Sequence, residues 1–166
     1  MTRSRAVQIA TVIAVALLLP FSLLAETPTV APTAGFTKEN LFGIWSKDRF
    51  ADAVVVTGPH KAIYLSGMGA EDEVDGHILH PGNFLEQCRY AHARVKKLLA
   101  KQGATIGDVV KTVAYVTDVR FLPEYGKCRA EAYGGAPLSA HTMLVITNLA
   151  HPGMLVEIDV TAAVAK

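Results

Sequence analysis

Cysteine and net charge are both scarce in this sequence. Its 166 residues include two cysteines, and 16 basic side chains face 15 acidic ones. Two cysteines are too few for a disulfide-framework scaffold. Because basic residues barely outnumber acidic ones, the chain lacks the long-range attraction that nucleic-acid binders normally use. Hydrophobic residues are plentiful, at 51%, which excludes intrinsic disorder. The chain is long enough to bury a core and too short for two ordinary domains.

The first 25 residues have the composition of an export signal. Arg3 and Arg5 precede an uncharged stretch that ends in the small residue Ala25. A basic end, an apolar core and a small residue at the cleavage position are typical of secretory signals. We expect cleavage after residue 25 and an exported protein, periplasmic or secreted, that is then free of the membrane. An uncleaved anchor is the alternative, because about twenty apolar residues could just span a bilayer.

The mature chain would begin with a linker. Residues 26–40 contain prolines, threonines and alanines without apolar periodicity, so we expect a flexible segment followed by one domain at residues 41–166. Cleavage removes two arginines, which leaves 14 basic and 15 acidic groups and a net charge of −1. No basic run remains either, so nucleic acid is not an expected partner.

Hydrophobic patterning beyond residue 41 predicts an α/β domain with the order β-β-α-β-α-β-β. One helix is expected from the cap Asn83 to about Lys101, and a second from Pro123 to the glycines at 134–135. The spacing predicts one mixed sheet with both helices on one face, and hairpins between the first two and the last two strands. The strands are expected at residues 53–57, 62–66, 111–117, 142–148 and 155–161.

The uncovered face of this sheet predicts self-association. Residues 54–56 and 143–146 are apolar on both sides of their strands, although two helices can cover only one face. Identical subunits are the simplest cover for the other face, so we expect a closed homo-oligomer.

Metal binding finds little support in the sequence. The acidic loop at residues 70–82 lacks the alternating oxygen ligands of a helix-loop-helix calcium site and is typical of a solvated turn. His77 and His80 in that loop lack a third ligand at a recognisable spacing. We therefore expect no metal.

The two cysteines fall on the two predicted helices. Export would expose Cys88 and Cys128 to an oxidising compartment, where a bridge between them is possible. Cys88 belongs to the apolar helical face, however, and buried free cysteine is the commoner state, which we expect here.

Several short motifs recur in a fixed order along the chain. They are AIYLSG at 62–67, GNF at 82–84 followed by Gln87, GAT at 103–105 followed by DVVKT at 108–112, YVTD at 115–118, and PG at 152–153 with LVEI at 155–158. Together they resemble the Rid family, also called the YjgF-like or L-PSP endoribonuclease-like family. The resemblance extends over about residues 42–164.

This resemblance implies a chorismate-mutase-like subunit, a homotrimer and small-molecule clefts between subunits. Typical members hydrolyse enamines and imines, such as 2-iminopropanoate, to the 2-oxo acid and ammonia without a metal or organic cofactor. An arginine on the first strand of the last strand pair grips the substrate carboxylate, and a glutamate on the following strand places and activates water. A planar guanidinium suits a carboxylate because it donates two parallel hydrogen bonds.

The chain matches this pattern in part. Glu157 aligns with the family glutamate as the catalytic candidate, and Ser66 with Gly67 aligns with the serine-glycine pair that lines the cleft. The family arginine is replaced by His141. The expected substrate-binding residues are His141, Ser66, Gly67, Phe50, which stands where many members have tyrosine, and Met143, which stands where a cysteine is frequent.

Three functions follow from this partial match. The first is hydrolysis of a small imine or enamine, with Glu157 guiding water and His141 contacting the substrate. The second is a non-catalytic trimer that binds a small metabolite in the same clefts, which the missing arginine favours. The third is ribonuclease action, which the lack of a basic stripe disfavours.

Overall fold

The computed structural model describes residues 35–166, which form six strands and two α-helices. In chain order the elements are β1 (Thr37–Leu41), β2 (Ala53–Thr57), β3 (His60–Tyr64), α1 (Phe84–Lys101), β4 (Val109–Val116), α2 (Leu122–Tyr133), β5 (Ala140–Val145) and β6 (Val156–Ala165). The expected export signal and residues 26–34 of the expected linker lie outside the described residues. Within residues 35–166, no helix combines the length and apolarity needed to cross a membrane.

The strands form two sheets. Four of them make a mixed sheet in the order β3-β6-β4-β5, in which β6 is antiparallel to both neighbours and β5 runs parallel to β4. β1 and β2 make a separate antiparallel pair. The two sheets meet where Ala51 forms a parallel bridge to Ala140 at the start of β5. This bridge brings the segment before β2 alongside the beginning of β5.

Both helices pack on one face of the four-stranded sheet, as the sequence predicts. α1 begins at the cap Asn83, whose side chain accepts a hydrogen bond from the backbone N–H of Glu86 at 3.1 Å. Its apolar side is buried against the sheet and α2 through Phe84, Cys88, Ala91, Val95 and Leu99. α2 ends at Gly134, which adopts φ 55°, a left-handed conformation that glycine takes without a Cβ penalty.

Both predicted hairpins are wrong. β2 pairs with β1 and β3 pairs with β6, so these consecutive strands belong to different sheets. At the end of the chain, β4 lies between β5 and β6, because the connection through α2 places β5 beside β4 in a parallel crossover. The long segment between Val145 and Val156 then lets β6 pair with the other edge of β4.

An additional strand precedes the predicted ones. β1 begins at Thr37, inside the segment expected to be a flexible linker, and pairs with all five residues of β2. It carries no apolar alternation because its two half-buried positions, Lys38 and Asn40, are polar. The side chains of Asn40 and Lys38 donate hydrogen bonds to the carbonyls of Leu138 and Gly107, respectively, and so hold β1 against the domain.

The two cysteines are joined, which corrects the expectation of free thiols. Cys88 of α1 and Cys128 of α2 form a disulfide with a Cα–Cα distance of 6.2 Å, across 40 residues of chain. Each falls on the buried side of its helix, so the same packing that makes these positions apolar also brings the two sulfurs together. The bond connects the two helices directly.

Candidate functional site

A cleft of about 880 Å³ opens between α2, the start of β5 and the segment before β2. Three residues predicted from the sequence to bind substrate line it, namely Phe50, His141 and Met143. They converge because the Ala51–Ala140 bridge holds Phe50 beside His141, with ring centroids 6.2 Å apart. The volume lies within the range of small-molecule sites.

His141 has two aromatic rings as neighbours. Its ring centroid lies 6.2 Å from that of Phe50 and 5.5 Å from that of Tyr125 in α2. Burial lowers the pKa of His141 to about 3, and the positive charges of Arg129 and Lys111 act in the same direction. The imidazole is therefore neutral, unlike the arginine of the family pattern.

The hydrogen bond to Tyr125 orients this imidazole. The Tyr125 hydroxyl lies 2.8 Å from His141 Nε2, and burial raises the pKa of that hydroxyl, so the hydroxyl stays protonated. We assign this hydroxyl as the donor and Nε2 as the acceptor, which places the ring proton of the neutral imidazole on Nδ1. The imidazole then has one N–H group to donate.

Arg129 supplies a charge that sequence reasoning did not place in the site. It follows Tyr125 by one helical turn and precedes Tyr133 by another, so all three line the cleft from α2. Within residues 35–166 Arg129 forms no ion pair. The only sequence signal that these three residues line one side of the cleft together is their spacing of four along α2.

The charge balance of the cleft suits an anion. Lys47, Arg49 and Arg129 line it against a single carboxylate, that of Asp48. The guanidinium carbon of Arg49 lies over the ring of Trp45, 4.9 Å from its centroid. A ligand with a carboxylate would meet a positive potential and a guanidinium capable of a bidentate pair.

The other predicted residues lie elsewhere. Gly67 follows β3 and lies directly under the Glu157 side chain, because a Cβ at this glycine would come within 1.8 Å of Glu157 Oε1. Ser66 beside it is exposed. Burial raises the pKa of Glu157, and the carboxylates of Glu71 and Asp159 add to that shift. A glutamate of raised pKa is better matched to general-base work near neutral pH.

His141 and Glu157 lie on opposite faces of the sheet. His141 is in register with Thr112, whose side chain points toward the helices, whereas Glu157 is in register with Tyr115 on the other face. Registered partners share a face and successive residues alternate between faces. One subunit therefore separates the two groups into the cleft and the open side of the sheet.

The acidic loop also brings ligand-type atoms together. Those of Asp72, Asp75 and His77 approach within 4.8 Å of one another, with Asp75 and His77 exposed. His77 Nδ1 lies 2.5 Å from Asp75 Oδ1, which raises the pKa of His77 through that hydrogen bond. The Asp72 carboxylate accepts hydrogen bonds from the backbone N–H groups of Val74 and Asp75.

Comparison with known families decides the classification. The profile of the family described as Endoribonuclease L-PSP matches residues 45–164, well over half of the chain. The protein belongs to the Endoribonuclease L-PSP family. The match begins in the segment that lines the cleft and continues almost to the end of β6.

Solved structures of the L-PSP and Rid group share the fold. A Rid-family protein from Yersinia pestis superposes with a TM-score of 0.69 at 24% identity, over 76% of this chain and 98% of that one. A member of the YjgF/YER057c/UK114 family from Mycobacterium tuberculosis gives 0.52 at 29% identity, over 77% and 100%. A YjgF-family member from Neisseria meningitidis gives 0.52 at 23% identity, over 80% and 99%. The expected mixed α/β fold is confirmed.

Proposed function

We propose that this L-PSP family member hydrolyses small enamine or imine compounds that carry a carboxylate, releasing the 2-oxo compound and ammonia. The observation that carries the proposal is the cleft, a space of small-molecule size lined by Arg129 and His141, which can both donate hydrogen bonds to a carboxylate. Together these two donors take the place of the arginine that the family pattern has at position 141. Ribonuclease action is not proposed, because the mature chain has no basic excess.

Water is the second reactant. The imine carbon accepts the oxygen of water while a base takes one proton from that water and the imine nitrogen gains one, which gives a carbinolamine. The hydroxyl of the carbinolamine then loses its proton as the C–N bond breaks, and the nitrogen takes a second proton and leaves as ammonia, so that the base ends unchanged. Glu157 is the candidate base because its pKa is raised and, within residues 35–166, its carboxylate accepts no hydrogen bond that would fix it to the protein. General-base assistance of this kind contributes about 10²–10⁴-fold in rate.

The proposal requires more than one subunit. Because Glu157 faces away from the cleft of its own chain, a neighbouring subunit must supply the glutamate that meets His141. The open face of the sheet offers a surface for such a neighbour, since Tyr64 and Leu144 there are 78% and 43% exposed. We propose a homotrimer with the clefts at the subunit boundaries, as the family resemblance implies.

Non-catalytic binding is the second candidate function. It is favoured by His141, which is neutral and offers one hydrogen-bond donor, whereas the arginine of the family pattern offers a charged guanidinium with two parallel donors. A chain of this kind would hold a small carboxylate in the cleft and release it unchanged.

One assay separates these two functions. The protein lacking residues 1–25 is mixed with 2-iminopropanoate generated in situ, and release of the 2-oxo acid is followed against buffer. Release above the buffer rate is expected for the wild type. If the wild type gives none and His141→Arg gives some, the chain is a binding protein; if neither does, both the substrate and the proposal are wrong.

Arg129→Gln is expected to weaken substrate binding by about 10–150-fold, seen as a higher KM, because a hydrogen bond to a charged group contributes about 1.5–3 kcal/mol. Steady-state kinetics on the same 2-imino acid would measure it. Lys127→Gln removes an exposed charge from the same helix outside the cleft and is the matched control. An equal effect of both changes would contradict the role of Arg129.

The activity is expected to fall on acidification at a pH above the ordinary glutamate pKa of 4.5, because burial and nearby carboxylates raise the pKa of Glu157. The base acts only when deprotonated, so kcat/KM rises as pH rises through that raised value. Asp159→Asn removes one of the raising charges and should move the acid limb of the pH profile to lower pH. An unmoved limb would exclude Glu157 as the base.

We also propose that the protein acts outside the cytoplasm. The Cys88–Cys128 disulfide supports this, since such bonds persist in oxidising compartments. Fractionation of cells expressing the full chain, with mass spectrometry of its mature amino terminus, tests the cleavage expected after residue 25.

A further inference from the structure

His92 is a buried histidine without hydrogen-bond partners. It lies on α1 with only 3% of its surface exposed, and neither ring nitrogen has a partner among the described residues. Burying a donor and an acceptor without partners is unfavourable, so such a side chain calls for an explanation. Its surroundings supply one.

The two sulfurs of the disulfide lie next to this imidazole. His92 follows Cys88 by one turn of α1, and Cys128 reaches the same point from α2. The ligand atoms of all three residues lie within 4.8 Å of one another, and both cysteines are at most 1% exposed. Two sulfur atoms and one imidazole nitrogen thus converge in the space between the helices.

We propose that Cys88, His92 and Cys128 form a buried Cu(I) site that exists only when the disulfide is reduced. A dithiol reductant gives two electrons and two protons to the disulfide and is itself oxidised to a disulfide. Cu(I) then binds the two sulfurs and an imidazole nitrogen, and the two thiol protons leave to solvent. Copper keeps its oxidation state throughout.

The ligand set favours Cu(I) over Zn(II). Thiolates are soft ligands that select Cu(I) as well as zinc, but structural zinc sites are closed by four protein ligands. Within residues 35–166 the cluster offers three, and it is closed to solvent. Cu(I) bound by two thiolates carries a net charge of −1. The cations Lys96 and Arg129 lie close enough to His92 to interact with it electrostatically, so they would also stabilise this negative charge.

The test measures Cu(I) binding by the protein lacking residues 1–25, with oxygen excluded. One sample is reduced with excess dithiol, which is then removed, and another keeps its disulfide; each competes for Cu(I) with a chromophoric chelator. One Cu(I) per chain is expected in the reduced sample and none in the oxidised one. Equal binding by both samples, no binding by either, or preference of the reduced chain for Zn(II) would overturn the site.

The variant His92→Leu isolates the imidazole. It leaves both cysteines in place, and it should lower Cu(I) affinity at least by the roughly 10–100-fold that loss of even an outer-shell partner costs. His60→Leu, which removes an exposed histidine outside the cluster, should have no effect. X-ray absorption of the wild type should show two sulfurs and one nitrogen around copper. Unchanged affinity in His92→Leu, or a sulfur-only spectrum, contradicts the proposal.

Folding of the reduced chain is followed in the same samples by circular dichroism. If reduction unfolds the apoprotein, Cu(I) should restore the native spectrum in the wild type and fail to do so in His92→Leu at the same concentration. If Cu(I) restores the native spectrum in both the wild type and His92→Leu, or in neither of them, the result is evidence against a site built from the folded helices.

Discussion

Glu157→Gln is expected to lower kcat for imine hydrolysis by about 10²–10⁴-fold, the usual contribution of a positioned general base. Glutamine has nearly the same shape but cannot take the proton of the attacking water. The folded state should persist, because the carboxylate accepts no hydrogen bond from residues 35–166. Stopped assays of 2-oxo acid release, together with thermal melting, would measure both effects.

The control for this change is Glu39→Gln, which neutralises an exposed glutamate of β1. It should leave the rate unchanged. A Glu157→Gln protein that is folded and hydrolyses the imine at the wild-type rate would remove this residue from the mechanism, even if the chain proved to be an enzyme.

Removing the disulfide is expected to lower the free energy of unfolding by about 4 kcal/mol, the chain-entropy estimate for a loop of 40 residues. The double change Cys88→Ala/Cys128→Ala removes the covalent link, so the unfolded chain regains the conformational entropy that the disulfide takes away. Urea unfolding of the variant and of the oxidised wild type, under identical conditions, would measure the difference.

Dithiol reduction of the wild type provides a second approach to the same quantity. Reduced protein and double variant should lose similar stability, since both lack the closed loop. Wild-type protein whose unfolding midpoint is insensitive to dithiol, with complete reduction shown by thiol titration, would mean that the bond contributes nothing to folding.

The helices were predictable because their signals are local. The cap at Asn83, the apolar spacing of α1 and the glycines after Tyr133 all act within one segment of chain. Strand pairing is a property of distant segments, and here the sequence misled. The four residues between the strands expected at 53–57 and 62–66 suggest a hairpin, yet β1 supplies the partner of β2 and β6 that of β3.

The site was predictable only where a family motif marked it. Motif matching indicated Phe50, His141 and Met143, and the structure brings these together; it also places Gly67 against Glu157. Arg129 was missed because it lies in none of the matched motifs and its neighbours are set by the packing of α2. The separation of His141 from Glu157 follows from strand register, which no motif reports.

The disulfide was mispredicted for a related reason. Apolar spacing showed that Cys88 and Cys128 face inward but not that α1 and α2 lie side by side at those two positions. The same limit hid the approach of His92, since a spacing of one helical turn from Cys88 is common without any ligand. Only the crossing of the two helices makes the three residues neighbours.

The bond between the helices has a consequence for the cleft wall. Cys128 directly precedes Arg129, so anchoring that point of α2 to α1 restricts how far the helix can slide or rotate against the sheet. A guanidinium preorganised in this way loses less conformational entropy when it captures an anion. Oxidation of two sulfurs that lie outside the cleft would then tighten anion capture, and reduction would relax it.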